Sequence, residues 1–428
     1  MMKIAAGSVQ WAVFLIASSI AAPVAISALF HLDASSTADF IQRTMLVLGI
    51  AGLLQSLFGH KLPINEGPAG LWWGVFTIYA GFSGILYADS SSTLQVLQSG
   101  MLYAGLLFMV FAASGLMDRM KSLFTPTITF IYLLLLVLQL SGTFIKGMMG
   151  LPNEEDRVDT VVIFGSLLTL LFTFWINGHR SPLLRRYSVL IAIGAGWLLF
   201  GLLGKTGFPD VKDASFFALP DLFVFGPPVW DGGMVVTAFF ITLLLVANMM
   251  ASIRVMEGTL QRDFGEQVPN RIRQAGLFAG VNHFVAGILS AVGPVPISGA
   301  AGFVSATKMR SVWPFAAGCL LIVALTLFPR VMLMLSSLPA PVAYAVTFAI
   351  FTGMVRMAFY ELNSTSDLER SLKVAAVGLM TGVGFMFLPP DSVSDLPVAV
   401  AATLSNGLVT GTVVALVYEQ WLLWRAHS

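Results

Sequence analysis

The feature that most constrains the fold of this chain is a succession of apolar runs that are long enough to cross a lipid bilayer. A transmembrane helix needs about 20 mostly apolar residues, and the 428-residue sequence holds fourteen candidate runs joined by short polar segments. The runs lie near residues 9–30, 43–59, 66–88, 94–117, 123–148, 158–177, 187–204, 234–253, 274–293, 297–307, 312–335, 339–360, 371–388 and 394–424. The tenth run is too short to cross alone. The pattern predicts an all-α polytopic membrane protein with fourteen transmembrane segments in two sets of seven.

The composition agrees with lipid as the solvent and excludes several functions. Hydrophobic residues make up 57% of the chain and charged residues 11%, whereas a soluble domain carries about 25% charged residues. The net charge of +1 argues against a nucleic-acid partner. The single cysteine, Cys319, excludes a disulfide framework and a cysteine metal site, and the sequence lacks the glycine-rich Lys-Ser/Thr loop of ATP-driven pumps. Neither a nucleophile–base pair nor a metal-ligand spacing occurs, so we expect no enzyme activity, cofactor or metal.

Positive charge is distributed unevenly between the loops. With the N-terminus on the cytoplasmic side, seventeen of the 23 lysines and arginines fall in cytoplasmic loops, as the positive-inside rule requires. We therefore predict a cell-membrane protein with both termini in the cytoplasm. Seven spans in each half then invert the second half relative to the first, as in many secondary transporters.

One short motif occurs once in each half. Residues 63–72 read Pro-Ile-Asn-Glu-Gly-Pro-Ala-Gly-Leu-Trp, and residues 296–304 read Pro-Ile-Ser-Gly-Ala-Ala-Gly-Phe-Val. When Glu66 is left out, Gly67 aligns with Gly299. Proline favours an extended backbone, so we expect short extended segments before the half-helices of spans three and ten. Their N-terminal N–H groups would meet in mid-membrane and bind carbonyl oxygens or an anion. The alternative is that the glycines only allow close helix packing.

Four polar or aromatic side chains stand out within the runs. Glu66 is an acid at membrane depth, which indicates a proton carrier, a hydrogen-bond acceptor for substrate or the partner of a cation; the alternative is an ordinary acid at a helix end. Asn248 either binds substrate or bonds to a neighbouring helix. Gln10 opens the first span, and Trp72 follows the first glycine motif, where it either stacks on a planar ring or anchors the helix at the membrane interface.

Most of the chain resembles the nucleobase–ascorbate transporter family, which includes the bacterial uracil and xanthine permeases. The matching positions are prolines, glycines and polar residues in spans one, three, nine, ten and twelve, namely Gln10-Trp11 with Pro23, Lys61-Leu62-Pro63 leading to Gly67, Gly280, Gly287, the stretch 293–310 and Pro341. The resemblance implies a core domain of residues 1–118 and 206–335 and a gate domain of residues 119–205 and 336–428. It also implies a substrate held between the half-helices of spans three and ten, and a homodimer formed through the gate domain.

The sequence departs from the family pattern where the family usually carries acids. Asn248 replaces a glutamate of span eight, and Ser252 replaces the histidine of uracil permeases. Gly299 and Ala300 replace the acid and the asparagine that usually open span ten. We hypothesise that the coupling carboxylate has moved to Glu66 in the other half. The predicted site comprises Gln10, Glu66, Gly67, Ala69, Trp72, Asn248, Ser252, Ser298, Gly299 and Ala300, with Glu66 carrying the proton.

The leading interpretation is a secondary active transporter of a purine or pyrimidine nucleobase that works by alternating access, with the core moving like an elevator against the gate. Its expected partners are a coupling proton, or sodium in its place, and the surrounding membrane lipid. A second interpretation is an anion transporter of the sulfate or bicarbonate type on the same fold, since paired helix N-termini bind an anion without a carboxylate. A third is a membrane scaffold or regulator that has lost transport.

Overall fold

The computed structural model describes residues 2–120, 123–151, 157–181, 184–185, 187–207 and 214–427. The helices of the first half are α1 Met2–Ser19, α2 Ala21–Leu29, α3 Ala34–Leu57, α4 Gly70–Ala80, α5 Ser90–Ala113, α6 Leu116–Met120, α7 Pro126–Met148, α8 Thr160–Asn177 and α9 Ser188–Leu202. Those of the second half are α10 Gly232–Phe264, α11 Ile272–Ile288, α12 Gly299–Thr307, α13 Val312–Thr326, α14 Pro329–Ser336, α15 Ala340–Asn363, α16 Leu368–Met386, α17 Val398–Leu404 and α18 Gly407–His427. The short strands β1 Glu66–Pro68 and β2 Pro294–Pro296 precede α4 and α12. The all-α prediction is confirmed.

Several predicted spans are broken helices. Among the described residues, seven helices are long and apolar enough to cross a membrane singly, and two bent pairs raise the number to nine. One pair joins α12 to α13 at 119°, and the other joins α17 to α18 at 79°. The predicted run 312–335 also ends early, because Pro329 lacks the N–H that a continuous helix needs and instead begins α14. The interrupted helices at these places are half-helices. Their free backbone groups are tolerated at membrane depth only where other protein segments surround them.

The two strands pair with each other and bring both halves of the chain to one point. β1 and β2 are antiparallel, with Gly67 opposite Val295. Two more backbone bonds extend the ladder: the Ile297 N–H donates to the Asn65 carbonyl at 3.0 Å, and the Ala69 N–H donates to the Gly293 carbonyl at 3.0 Å. The half-helices therefore start from one shared strand pair, as the repeat predicted.

The predicted alignment of Gly67 with Gly299 is wrong in register. Gly67 lies within β1, whereas Gly299 is the first residue of α12, so its counterpart is Gly70, the first residue of α4. One residue separates strand from helix in the first copy and two in the second. A Cβ at Gly67 would lie 2.1 Å from Ile297 Cδ1, so a larger residue there would require the Ile297 side chain to shift. Glu66 consequently lies at the start of a strand and not beside a helix N-terminus.

The described helices pack in two groups. Helices α1, α3, α5, α10, α11 and α13 pack on one another, and α7, α8, α9, α15, α16 and α18 form the second group. Helix α17, which was assigned to the gate, packs on α10 of the first group. The exact division into domains and the dimer through the gate stay predictions.

Close packing of α16 and α18 yields a first testable prediction. A Cβ at Gly407 would lie 2.2 Å from the Gly382 carbonyl oxygen and 2.6 Å from Met386 Cγ. Because backbone cannot move aside as a side chain can, we expect Gly407→Ala to lower the free energy of unfolding by about 1–3 kcal/mol. Thermal unfolding in detergent would measure the loss. Gly384→Ala on α16 is the matched control, since nothing lies within 4 Å of its Cβ; an equal Tm for the two variants would contradict the packing.

Candidate functional site

A pocket of about 250 Å³ lies between the two helix groups. Asn248 and Ser252 of α10 and Ser298 at the start of α12 line one wall. The opposite wall belongs to α7 and α15, with Tyr132 and Glu361 among its residues. Pockets for drug-sized ligands are about 300–1,000 Å³, so this one suits a smaller molecule. The pocket thus lies between helices of the first group and helices of the second.

The N-terminus of α12 opens toward this pocket. Ser298 is the N-cap residue of this nine-residue helix and is half-buried, and Gly299 is exposed. The Ala300 N–H donates to the Ile297 carbonyl and the Ala301 N–H to the Ser298 carbonyl. A Cβ at Gly299 would meet only Ile297 Cγ2, at 3.7 Å, so the space in front of the helix is open. The helix dipole makes this end favourable for carbonyl oxygens or negative charge.

Ser252 has a structural role in addition to its place in the pocket wall. Its hydroxyl donates to the Pro296 carbonyl at 2.8 Å, which ties α10 to β2. The Asn248 side chain is half-buried one turn away, and proteins use such amides to bind both donors and acceptors. Of the two amide side chains among the predicted residues, Asn248 is the one that lines the pocket.

The first half-helix faces protein rather than the pocket. Ala69 is buried, and a Cβ at Gly70 would lie 3.4 Å from Phe351 Cζ and 3.7 Å from Leu136 Cδ2. These side chains belong to α15 and α7 of the second group. In this conformation the two helices thus cover the start of α4, while the start of α12 remains open.

Trp72 packs inside the protein and has no open ring face in this conformation, whereas the sequence interpretation placed it against a planar ring or at the membrane interface. Its ring is fully buried, and Nε1 donates to His283 Nε2 at 3.1 Å. His283 Nδ1 in turn lies 2.8 Å from the Ala279 carbonyl, so it carries the proton. The pair ties α4 to α11. A Cβ at Gly293 would approach Trp72 Nε1 to 2.6 Å, which explains the glycine before β2.

Other predicted residues also lie away from the pocket. Gln10 is exposed near the start of α1, its neighbour Trp11 is buried against Phe303, and Ala300 is buried inside α12. The pocket wall thus unites Asn248, Ser252 and Ser298, with Gly299 beside it, and does not include Gln10, Glu66, Gly67, Ala69, Trp72 or Ala300.

Glu66 forms a separate polar pair with His60. Both side chains are buried, and His60 Nε2 lies 3.7 Å from Glu66 Oε1. The Leu62 N–H donates to His60 Nδ1 at 3.0 Å, so the ring of a neutral His60 carries its proton on Nε2, which faces the carboxyl group. Neither Nε2 nor Oε1 has a hydrogen-bond partner within the described part of the chain. Because buried polar atoms are rarely left unpaired, this pair has the capacity to bind a proton or a water molecule.

Sequence reasoning missed two charged residues of the pocket. Arg254 and Glu361 resemble ordinary charges at helix ends, yet both line the pocket from opposite walls. Arg254 stands six residues after Asn248 on α10, on a helix that continues to Phe264. The sequence signal that could have identified Arg254 is the continuation of α10 beyond the apolar run. Because the helix continues, Arg254 lies along the pocket and not in a loop.

Comparison with known proteins decides the family. The profile of the Permease family matches residues 2–391. The chain belongs to this family. The permease is 42% identical over 431 residues to YwdJ of Bacillus subtilis (strain 168), provisionally named a purine permease, with 100% of this chain and 98% of that protein covered. It is 24% identical to the uric acid permease PucJ of the same organism, with 96% and 90% covered. The predicted resemblance is confirmed.

Solved structures confirm the fold. The transmembrane domain of the cyanobacterial bicarbonate transporter BicA matches with a TM-score of 0.61 at 13% identity, covering 97% of the permease and 98% of that chain. The murine anion transporter Slc26a9 in its inward-facing state matches with a TM-score of 0.65 at 12% identity, covering 98% and 68%. This fold consists of two inverted repeats of seven spans, with which the antiparallel pairing of β1 and β2 agrees.

Proposed function

We propose that the permease is a secondary active transporter of purine nucleobases that binds its substrate in the pocket between Asn248, Ser298 and the gate. The observation that carries the proposal is this pocket, which joins an amide, a hydroxyl and an open helix N-terminus. A purine ring displays carbonyl oxygens and N–H groups on its edge, which these groups can bind. The name of YwdJ and that of PucJ support the purine class.

The charges around the pocket support an inward-open conformation. Arg254, Arg262, Lys308 and Arg310 lie at the end of α10 and beyond α12, on the face where the pocket opens. Positive loops face the cytoplasm, so we place this mouth and both termini on the cytoplasmic side. Phe351 and Leu136 cover the start of α4. Transport then requires the core to shift against the gate until the opposite mouth opens.

The His60–Glu66 pair supports coupling to protons. The pair lies outside the pocket, but β1 pairs directly with β2, and the Ile297 N–H is bound to the Asn65 carbonyl beside Glu66. Ile297 also directly precedes Ser298 of the pocket wall. A charge change at Glu66 is thus linked to the start of α12 through backbone hydrogen bonds. Sodium is the competing coupling ion, because a buried carboxylate can hold either cation.

Uptake into proteoliposomes tests the proposed function. With the purified permease reconstituted, we expect labelled xanthine, urate or hypoxanthine to accumulate when a pH gradient is imposed, and labelled sulfate and bicarbonate to remain outside. The anion alternative has some support, since the fold matches two anion transporters and the described residues of the core wall of the pocket include no carboxylate. Accumulation of sulfate or bicarbonate alone would establish that alternative. Binding and uptake of none of the compounds would indicate a scaffold.

A further inference from the structure

A larger cavity of about 770 Å³ leads from the pocket to the protein surface. Three residues, Arg254, Val255 and Ser298, line both cavities, so the larger one forms a vestibule to the smaller. Among the described residues that line the vestibule, the charged ones are Arg185, Arg254 and Arg262, and all three are positive. Arg185 lies between α8 and α9, and the other two lie on α10. A cleft whose walls carry one sign of charge concentrates ligands of the opposite sign.

The arginines differ in their partners. Arg262 Nε lies 3.1 Å from Asp263 Oδ1, and Asp263 also bonds to Ser305 and to Lys308. For Arg185 and Arg254, no carboxylate lies within 4.0 Å among the residues that the structure describes. Arg254 therefore keeps its guanidinium available at the point where vestibule and pocket meet.

We propose that Arg254 is the counter-ion of an anionic oxopurine, a purine that has lost a ring proton and carries the charge over an N–C=O edge. This edge offers two acceptors side by side, which a planar guanidinium binds through two parallel hydrogen bonds. The dipole of α12 adds positive potential at Ser298. The inference rests on the proposed function and specifies the charge state of its substrate.

The missing acids of the core wall agree with this assignment. Asn248 and Gly299 occupy positions where the family that the sequence resembles usually carries acids. Acids at these positions would repel an anion. One carboxylate does line the pocket, Glu361, but it belongs to the gate wall on α15. A bound anion would compete with Glu361 for Arg254 and so weaken the attraction between core and gate. Arg254 thus determines which purines bind.

Equilibrium binding of labelled purines to the purified permease tests the inference. The probes are urate, which is a monoanion at neutral pH, and hypoxanthine, which is neutral. We expect the wild type to bind urate more tightly, and Arg254→Gln to weaken urate binding by about tenfold or more, as expected for loss of charge-assisted hydrogen bonds, while hypoxanthine binding stays unchanged. Arg254→Lys should recover part of the loss, because it restores the charge without the fork.

A control variant and a competition measurement distinguish the ways in which the inference could be wrong. Arg310→Gln is the matched control and should leave both affinities unchanged, since Arg310 Nη1 lies 3.4 Å from Glu266 Oε2 and Arg310 is not among the residues that line the vestibule or the pocket. Equal weakening of urate and hypoxanthine by Arg254→Gln, with a melting temperature like that of the wild type, would overturn the role of charge. Displacement of urate by sulfate at similar concentration would overturn the purine part of the assignment. If the wild type binds neither purine, the proposed function itself fails, and this result is distinct from both.

Discussion

Replacing Glu66 by glutamine is expected to abolish the accumulation of purine that a pH gradient drives, while purine binding persists. Glu66 is buried with its Oε1 atom unpartnered among the described residues and 3.7 Å from His60 Nε2. Glutamine keeps the shape and the hydrogen-bonding oxygen but cannot gain or lose a proton. Burying an ionisable group at this depth costs free energy, and such groups are retained where they have a function. The function that we assign to Glu66 is to carry the coupling proton.

Two transport assays on the same proteoliposomes separate coupling from folding. Glu66→Gln should fail to concentrate purine against a gradient but should still exchange labelled for unlabelled purine across the membrane. The matched control is Glu419→Gln on α18, because Glu419 is also a buried acid but accepts hydrogen bonds from Thr125 at 2.9 and 3.0 Å. A Glu66→Gln permease that concentrates purine as the wild type does would refute proton coupling through this residue. Accumulation driven by a sodium gradient would show that sodium, and not the proton, is the coupling ion.

Replacing Asn248 by leucine should weaken purine binding on the order of 100-fold. The purine's polar edge would lose the Asn248 amide as its hydrogen-bond partner and would be buried unpaired. Asn248 lines the pocket beside Ser252. Binding of labelled xanthine to purified protein would measure the loss.

Asn282→Leu is the matched control for this experiment. Asn282 lies on α11, is buried and has neither of its side-chain polar atoms hydrogen-bonded within the described chain, and it does not line the pocket. Its replacement should leave binding unchanged and should not lower the melting temperature, because no hydrogen bond is lost. Equal losses of binding in the two variants would contradict the placement of the substrate at Asn248.

The hydropathy of the chain was enough to predict its class, and the repeated proline–glycine motif was enough to predict two facing half-helices. The details of the repeat were not predictable. Sequence similarity alone aligned Gly67 with Gly299, but the paired strands show that one residue links β1 to α4 and two residues link β2 to α12. Backbone pairing between residues more than two hundred positions apart decides this register, and no local propensity encodes it.

The site was predictable only on its core wall. Asn248, Ser252 and Ser298 were identified because they are polar residues at motif positions in apolar runs. The gate wall around Tyr132 and Glu361 was missed, since its residues follow no motif and come from two other helices. Trp72 was misjudged because its partner, His283, lies 211 residues away in sequence. Aromatic residues near a glycine motif favour ligand stacking only if the fold leaves their faces open.

Protection of an engineered thiol tests the location of the substrate most directly. Ala251 is half-buried in the pocket wall beside Ser252, and the sole natural cysteine, Cys319, is buried and therefore unreactive toward a maleimide. In Ala251→Cys we expect maleimide labelling that slows in proportion to the pocket's occupancy by xanthine or urate and is unaffected by sulfate, with the wild type unlabelled throughout. Labelling that proceeds at the same rate in saturating purine would contradict a purine site between core and gate.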